Sequence, residues 1–114
     1  MFSTTGPSAA VRATVAERSA GLCERCGRAR AQVIHHRRPR KTGGTRRLDT
    51  NTLPNLLHLC DPCHLWIESF RSRAEVAGWL VPDDGTPAAV PVRYRDQMVW
   101  LRPDGGVDPT DFDD

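Results

Sequence analysis

The chain has 114 residues, carries a formal net charge of +2 at pH 7 and is 39% hydrophobic by residue count. Such a length suits one small domain with a thin core, which a bound metal ion would help to stabilise. Residues 1–20 lack the apolar run of a secretory signal, and no segment approaches the roughly 20 apolar residues of a membrane helix. We therefore expect a cytoplasmic protein with no membrane partner, whose four cysteines stay reduced and bind metal instead of forming disulfides.

The small net charge conceals an uneven distribution of charged residues. Nine basic residues and no acidic one lie between Arg25 and Leu48, whereas residues 81–114 contain eight aspartates and three arginines. A concentrated basic stripe is typical of proteins that bind nucleic acid. A solvated arginine-rich loop would look the same in the sequence, so charge alone does not decide between the two.

The first half of the chain is predicted to fold as helix, strand, loop, strand and helix. Ser8 can cap a helix that ends near Ser19, because alanine and valine dominate that stretch. Residues 31–36 are short and partly β-branched, which predicts a strand, and Pro39 ends it. A long loop follows at residues 40–54, and a strand expected to pair with the first follows at residues 56–59. A helix is predicted over residues 61–72, with Asp61 at its cap and Pro62 in its first turn.

The second half is predicted to be less regular. It should contain one or two further helical turns, two short strands and a disordered acidic tail: residues 73–80, 90–92, 98–101 and 105–114. The chain then divides into an N-terminal tail and helix, a core, a C-terminal segment packed on that core, and an acidic disordered tail: residues 1–20, 21–72, 73–102 and 103–114.

All four cysteines belong to two Cys-x-x-Cys pairs, with 33 residues between the pairs: Cys23, Cys26, Cys60 and Cys63. Two such turns can supply the four thiolates of a tetrahedral zinc site. A redox dithiol or an iron site is the rival interpretation, but redox pairs usually come singly beside a βαβ pattern, which is absent from the sequence. We predict a closed, structural Zn²⁺ site that takes no part in chemistry.

A structural zinc site does not account for the polar residues around it, which are His35, His36, Asn55 and His64. Hydrolysis of a phosphodiester needs a cation on the phosphate and a base for water. One histidine on a strand and one on a facing helix could hold a divalent metal. The adjacent strand residue points to the opposite side of the pleat and could serve as the base, since the ordinary pKa of histidine, about 6.5, leaves it mostly neutral in cells.

These residues resemble the HNH endonuclease family in its four-cysteine subgroup. The likeness runs over about residues 23–68 and comprises Cys-x-x-Cys, His-His-x-x-Pro and Asn-Leu-x-x-Leu-Cys-x-x-Cys-His. Residues 78–101 are also similar to small HNH proteins of actinobacterial phages and their hosts. The resemblance implies an α+β protein built on a small ββα-metal (HNH, or His-Me) finger, with a four-cysteine zinc staple, an N-terminal helix and short C-terminal strands.

The resemblance also implies roles for the site residues. His36 would be the general base, His35 and His64 would hold one Mg²⁺, Mn²⁺ or other divalent ion, and Asn55 would brace the long loop. Many relatives have a further histidine where this chain has Glu68, one helical turn after His64. Glu68 is a candidate ligand that would favour Mg²⁺ or Mn²⁺ over Zn²⁺, or else a solvated helix residue.

The expected partner is DNA. The basic residues flanking the cleft are predicted to hold backbone phosphates: Arg37, Arg38, Arg40, Lys41, Arg46 and Arg47. The expected function is a metal-dependent DNA endonuclease in a phage-like setting, acting in packaging beside a terminase or in homing or restriction, as a monomer or weak dimer. The alternatives are a zinc-stapled DNA-binding accessory protein with little or no cleavage and, with less support, a protein-interaction zinc module.

Overall fold

The computed structural model describes residues 6–39 and 47–110. The first part of the predicted loop, residues 40–46, therefore lies outside the described residues and includes Arg40, Lys41 and Arg46; the two chain ends lie outside them as well. The helices and strands are α1 (Ala9–Ser19), β1 (Val33–His36), β2 (Leu56–Leu59), α2 (Asp61–Ser69), α3 (Arg71–Val76), β3 (Val92–Tyr94), β4 (Gln97–Leu101) and β5 (Val107–Pro109). Within residues 6–39 and 47–110, every helix is too short or too polar to cross a membrane.

Helix α1 begins and ends where the sequence predicts. The Ser8 hydroxyl accepts a hydrogen bond of 3.2 Å from the main-chain nitrogen of Val11, which caps the helix. The helix ends at Ala20, which has a left-handed φ of 56°. Val15 is fully buried and packs with Leu56, so α1 covers one face of β2.

Strands β1 and β2 form an antiparallel hairpin, which confirms the predicted pairing. His35 lies opposite Leu57 and His36 lies opposite Leu56. Strand β1 begins two residues later than predicted, at Val33. Because successive strand residues face opposite sides of the pleat, the buried His35 and the half-buried His36 present their rings in different directions.

Helix α2 starts one residue earlier than the sequence suggests. Cys60 is its N-cap residue, and Asp61 is the first helical residue, so the prediction of an Asp61 cap was wrong. Pro62 lies in the first turn as predicted. The helical run breaks at Phe70, whose backbone (φ −125°, ψ 62°) is not helical, and α3 then continues in a new direction.

A second sheet has the order β3-β4-β5, with both pairs antiparallel. β3 and β4 correspond to the two predicted strands: β3 lies two residues later than predicted, and β4 starts one residue earlier and ends at Leu101 as predicted. β5 lies in the segment that was expected to be disordered, so that expectation was wrong for residues 107–109. Arg102 pairs with Asp104 and Asp108 across the turn, and half-buried Val107 packs against the core, which explains the order.

Two hydrophobic clusters lie on the two faces of β2. The larger contains Leu57 and Leu59 and joins the cysteines and α2 to the second sheet; the smaller contains Leu56 and joins α1. The principal members of the larger cluster from elsewhere in the chain are Ile67, Ala74, Leu80, Val92, Val99 and Leu101. The hairpin is therefore packed on both sides, which holds the polar residues of β1 in place.

Candidate metal centres and active site

The four cysteines converge on one point. Their sulfurs lie within 4.8 Å of one another, with Cys23 and Cys26 in the turn after α1 and Cys60 and Cys63 at the start of α2. Main-chain nitrogens of Arg25 and Cys26 each lie 3.4 Å from the Cys23 sulfur, an arrangement that favours thiolates. Four converging sulfurs with such donors fit a tetrahedral zinc ion.

The acidities of the thiols differ. Burial opposes ionisation of Cys26, but hydrogen bonds from main-chain nitrogens and neighbouring thiols outweigh it and lower its pKa to about 6. Burial raises the pKa of Cys60, and it raises the pKa of Cys63 to about 12. Because zinc binds thiolates and burial keeps Cys60 and Cys63 protonated, metal binding would release protons from these two residues.

Arg25 lies beside this cluster and carries a charge opposite to that of thiolates. Its Nη1 atom donates a hydrogen bond of 3.1 Å to the Cys63 sulfur. Its guanidinium carbon is 4.3 Å from the ring centroid of Trp66 and 4.4 Å from that of Trp79. The two indoles thus enclose the cation, which offsets the negative charge of a four-thiolate site.

A second cluster of possible metal ligands comprises His35, His64 and Glu68, whose ligand atoms lie within 4.8 Å of one another. His35 comes from β1, and the other two come from adjacent turns of α2, as the helical spacing predicts. The two imidazole rings meet edge to face at a centroid distance of 5.3 Å. Glu68 also accepts a hydrogen bond of 2.8 Å from Arg71, so it lies between the cluster and a surface arginine.

The main chain at Trp79 orients His35. The Nε2 atom of His35 is 2.8 Å from the Trp79 carbonyl oxygen. A carbonyl only accepts, so Nε2 carries the proton and Nδ1 is the nitrogen with a lone pair for a metal. Burial, as the largest cause, lowers the pKa of His35 to about 4, so its ring is neutral at cellular pH. A buried, neutral, oriented imidazole fits the role of a metal ligand.

His36 is the last residue of β1, and Asn55 directly precedes β2. The His36 ring is half-buried, and its Nε2 atom is 2.7 Å from Oδ1 of Asn51. Asn55 is fully buried; its Oδ1 accepts a hydrogen bond of 2.8 Å from the Arg38 main chain, and its Nδ2 donates one of 2.8 Å to the Thr50 carbonyl. Asn55 therefore ties the end of β1 to the turn before β2, as a brace would.

Arg37 does not lie on the surface, and the prediction that it contacts phosphates was wrong. Its side chain is fully buried. Its guanidinium donates to four main-chain carbonyls, at Pro54, Gly78, Pro87 and Val90. Burial lowers the pKa of Arg37 to about 9, which still leaves the group charged at neutral pH. The residue links the hairpin to the segment after α3.

Arg38 is also occupied within the protein. It is 5% exposed, forms an ion pair with Asp49 and donates a hydrogen bond of 2.9 Å to the Gly85 carbonyl. This corrects its assignment as a phosphate contact. The guanidinium of Arg38 in turn holds the pKa of the Asp49 carboxyl below its usual range. Arg47 alone among the described members of the predicted set is exposed, and it donates a hydrogen bond of 2.6 Å to the Asp83 carbonyl.

A buried ion pair that the sequence did not suggest anchors α1 to the cysteine turn. Arg18 and Glu24 share two hydrogen bonds of 2.8 and 2.9 Å, and Glu24 also accepts from the Tyr94 hydroxyl and the His58 main chain. The ring of His58 lies 2.8 Å from the Ser19 hydroxyl, away from both clusters. The ring of His58 therefore has a structural partner in α1.

Comparisons with known proteins point to one family. Residues 23–69 match the model of the HNH endonuclease family. The chain is also 39% identical over 64 residues to the uncharacterized protein YisB of Bacillus subtilis (strain 168). The aligned part makes up 55% of this chain and 57% of YisB. No solved structure gave a significant match.

Proposed function

We propose that this chain, which carries an HNH endonuclease domain at residues 23–69, is a metal-dependent endonuclease that hydrolyses phosphodiester bonds in DNA. The proposal rests on the cluster of possible metal ligands formed by His35, His64 and Glu68. His36, the next residue of β1 after His35, supplies a further imidazole. Neither a zinc staple nor a protein-interaction module requires this second set of ligands. We extend the proposal to a role in phage-like DNA processing on the sequence resemblance of residues 78–101 alone.

The second cluster would hold the catalytic metal. Nδ1 of His35 faces the cluster, His64 supplies an imidazole from α2, and Glu68 supplies a carboxylate. Two imidazoles with one carboxylate suit Mn²⁺ or Mg²⁺ better than four thiolates would, whereas the cysteine cluster suits Zn²⁺. A divalent metal at such a site would stabilise the negative charge of the phosphate and of the departing oxygen.

His36 would act as the general base. It would take a proton from water as the water oxygen forms its bond to phosphorus; the bond to the 3′ oxygen breaks, and that oxygen takes a proton from solvent to become the 3′-hydroxyl. The products carry 5′-phosphate and 3′-hydroxyl ends, by analogy with the family. Asn55 contributes through its hydrogen bonds to the main chain of Arg38 and Thr50, which fix the end of β1 and so hold the His36 backbone in place relative to the metal cluster.

DNA binding by this domain would rest on fewer arginines than the sequence predicts. Arg37 and Arg38 are committed to internal partners, whereas Arg47 is exposed. Phosphate contacts position DNA without selecting a base sequence, so we expect weak sequence preference. One site per chain cuts one strand, so nicking is the expected product of a monomer.

The decisive experiment is cleavage of supercoiled plasmid with Mg²⁺, Mn²⁺ or EDTA. We expect metal-dependent nicking by the wild type and a loss of about 10²- to 10⁴-fold in His36→Ala, which is the usual contribution of a general base. His58→Gln is the matched control, because His58 is a histidine of the same hairpin outside both clusters. It should retain activity.

Three outcomes would count against the proposal. Wild-type protein that shifts plasmid in a gel without cutting it would establish the accessory DNA-binding function instead. Equal cleavage by wild type and His36→Ala would exclude His36 as the base. Unchanged Mn²⁺ binding by His64→Ala, measured by calorimetry on zinc-loaded protein, would exclude the second cluster as the catalytic metal site.

A further inference from the structure

Asn51 lies against the proposed general base. Its Oδ1 atom is 2.7 Å from Nε2 of His36. An amide oxygen only accepts hydrogen bonds, so this contact places the proton of the neutral ring on Nε2 and the lone pair on Nδ1. Nδ1 is then the atom of His36 that can accept a proton from water.

The turn that carries Asn51 is fastened on both sides of it. The Thr50 carbonyl accepts a hydrogen bond of 2.8 Å from Nδ2 of Asn55. The Thr52 carbonyl accepts one of 2.9 Å from the Asn55 main chain. Since Asn55 is fully buried and Thr50 is 5% exposed, the turn has little freedom to shift. The amide of Asn51 is therefore presented to His36 from a fixed backbone.

We infer that Asn51 is a positioning residue that holds the His36 ring in one orientation and in its Nε2–H tautomer. The inference rests on the proposed function, in which His36 is the base. The two asparagines then have separate tasks: Asn55 holds the turn, and Asn51, carried by that turn, orients the imidazole. Neither the turn nor its contact with His36 is visible in the spacing of the motif.

A purely structural role for Asn51 makes a different prediction. If the contact only packed the turn against β1, a side chain of similar volume without polar atoms would serve as well. Orientation of His36 requires an acceptor. Asn51→Asp keeps an acceptor oxygen at this position and replaces the NH2 donor with a second acceptor, whereas Asn51→Leu keeps the branched shape and has neither donor nor acceptor. Thr52→Val is the matched control, because it removes a hydrogen bond of the same turn without touching His36.

The tautomer can be measured directly on the full zinc-loaded chain with ¹⁵N-labelled histidine, by long-range ¹H–¹⁵N spectra at about pH 8.5, where an ordinary imidazole is neutral. Wild type, Asn51→Asp and Thr52→Val should show His36 protonated on Nε2. Asn51→Leu should show the averaged nitrogen shifts of a ring exchanging between both tautomers. Unchanged shifts in Asn51→Leu would overturn the inference, as would transfer of the proton to Nδ1 in Asn51→Asp.

The nicking rate supplies the second readout. Asn51→Leu should lower kcat about 10- to 100-fold, comparable to the loss of an orienting partner at metal sites, with KM and melting temperature near the wild-type values. Asn51→Asp and Thr52→Val should stay within a few-fold of wild type. A full rate in Asn51→Leu would overturn the role in the reaction. If the wild type itself does not cut DNA, the proposed function fails, and the tautomer spectra alone decide whether Asn51 orients His36.

Discussion

The Arg37→Met variant keeps the length of the side chain but removes a guanidinium that donates to four main-chain carbonyls. Hydrogen bonds to a charged group contribute about 1.5–3 kcal/mol each, and relief from burying the cation offsets much of that sum. We expect a net loss of about 2–4 kcal/mol from the free energy of unfolding. This is a large fraction of the roughly 5–15 kcal/mol that stabilises a typical domain.

Urea unfolding of the zinc-loaded protein, followed by circular dichroism, measures this loss. Arg47→Met is the control, because the Arg47 side chain is 41% exposed and its removal should change stability by less than about 0.5 kcal/mol. The salt dependence of DNA binding gives the complementary measurement. Since Arg37 is fully buried, its removal should leave the slope of log K against log salt unchanged, whereas loss of one phosphate contact at Arg47 would reduce it by about 0.9.

The opposite pattern would refute the reasoning. If Arg37→Met unfolds at the wild-type urea concentration but binds DNA with a smaller salt slope, Arg37 contacts a phosphate, as the arginine-rich stripe first suggested. The buried arrangement of its guanidinium would then be incorrect. A loss of stability in Arg47→Met as large as that expected for Arg37→Met would equally contradict the assignment of the two arginines.

Three other perturbations test the metal clusters. Purified protein should contain one tightly held Zn²⁺ per chain by elemental analysis, and Cys63→Ser should lose that metal and unfold at a lower temperature; metal-free wild type with an unchanged melting curve would contradict this. Arg25→Gln should release Zn²⁺ faster to a chromogenic chelator and lose about 1–2 kcal/mol of stability, whereas equal release rates would remove Arg25 from the zinc site. Glu68→Ala should weaken Mn²⁺ binding about 10-fold or more by calorimetry, while Arg71→Ala, which frees the Glu68 carboxylate, should not weaken it; equal affinity in Glu68→Ala would leave Glu68 as a solvated helix residue.

The parts of the molecule that the sequence predicts well depend on local spacing. Cysteines three residues apart form a turn whose sulfurs converge, and residues four apart on a helix share a face, so the zinc cluster and the pairing of His64 with Glu68 follow from position alone. The hairpin follows in the same way from two short apolar segments. The family resemblance adds the roles of these residues but not their hydrogen-bond partners.

The parts that the sequence does not predict depend on partners far along the chain. Arg37 and Arg47 look alike within the basic stripe of the sequence. Arg37 is buried because main-chain carbonyls of residues 78–90 accept its hydrogen bonds, and those carbonyls lie far from it in the sequence. The hydrogen bond from His35 goes to a main-chain oxygen at Trp79, and a main-chain oxygen leaves no trace in residue identity. The strand at residues 107–109 was missed because the acidic composition of this segment predicts disorder, whereas the contact of Val107 with the core cannot be read from the sequence.

The Gly78–Trp79 peptide bears on how far this motif can be transplanted between proteins. Gly78 has a φ of 82°, and a side chain there would overlap the Pro91 carbonyl, so glycine lets the chain turn back toward the hairpin. That turn delivers the Gly78 carbonyl to Arg37 and the Trp79 carbonyl to His35. A graft of residues 23–69 into another scaffold would carry every ligand of both clusters. It would leave the buried Arg37 without three of its four carbonyl acceptors and His35 without the Trp79 carbonyl. A functional graft would therefore have to include the segment that follows α3.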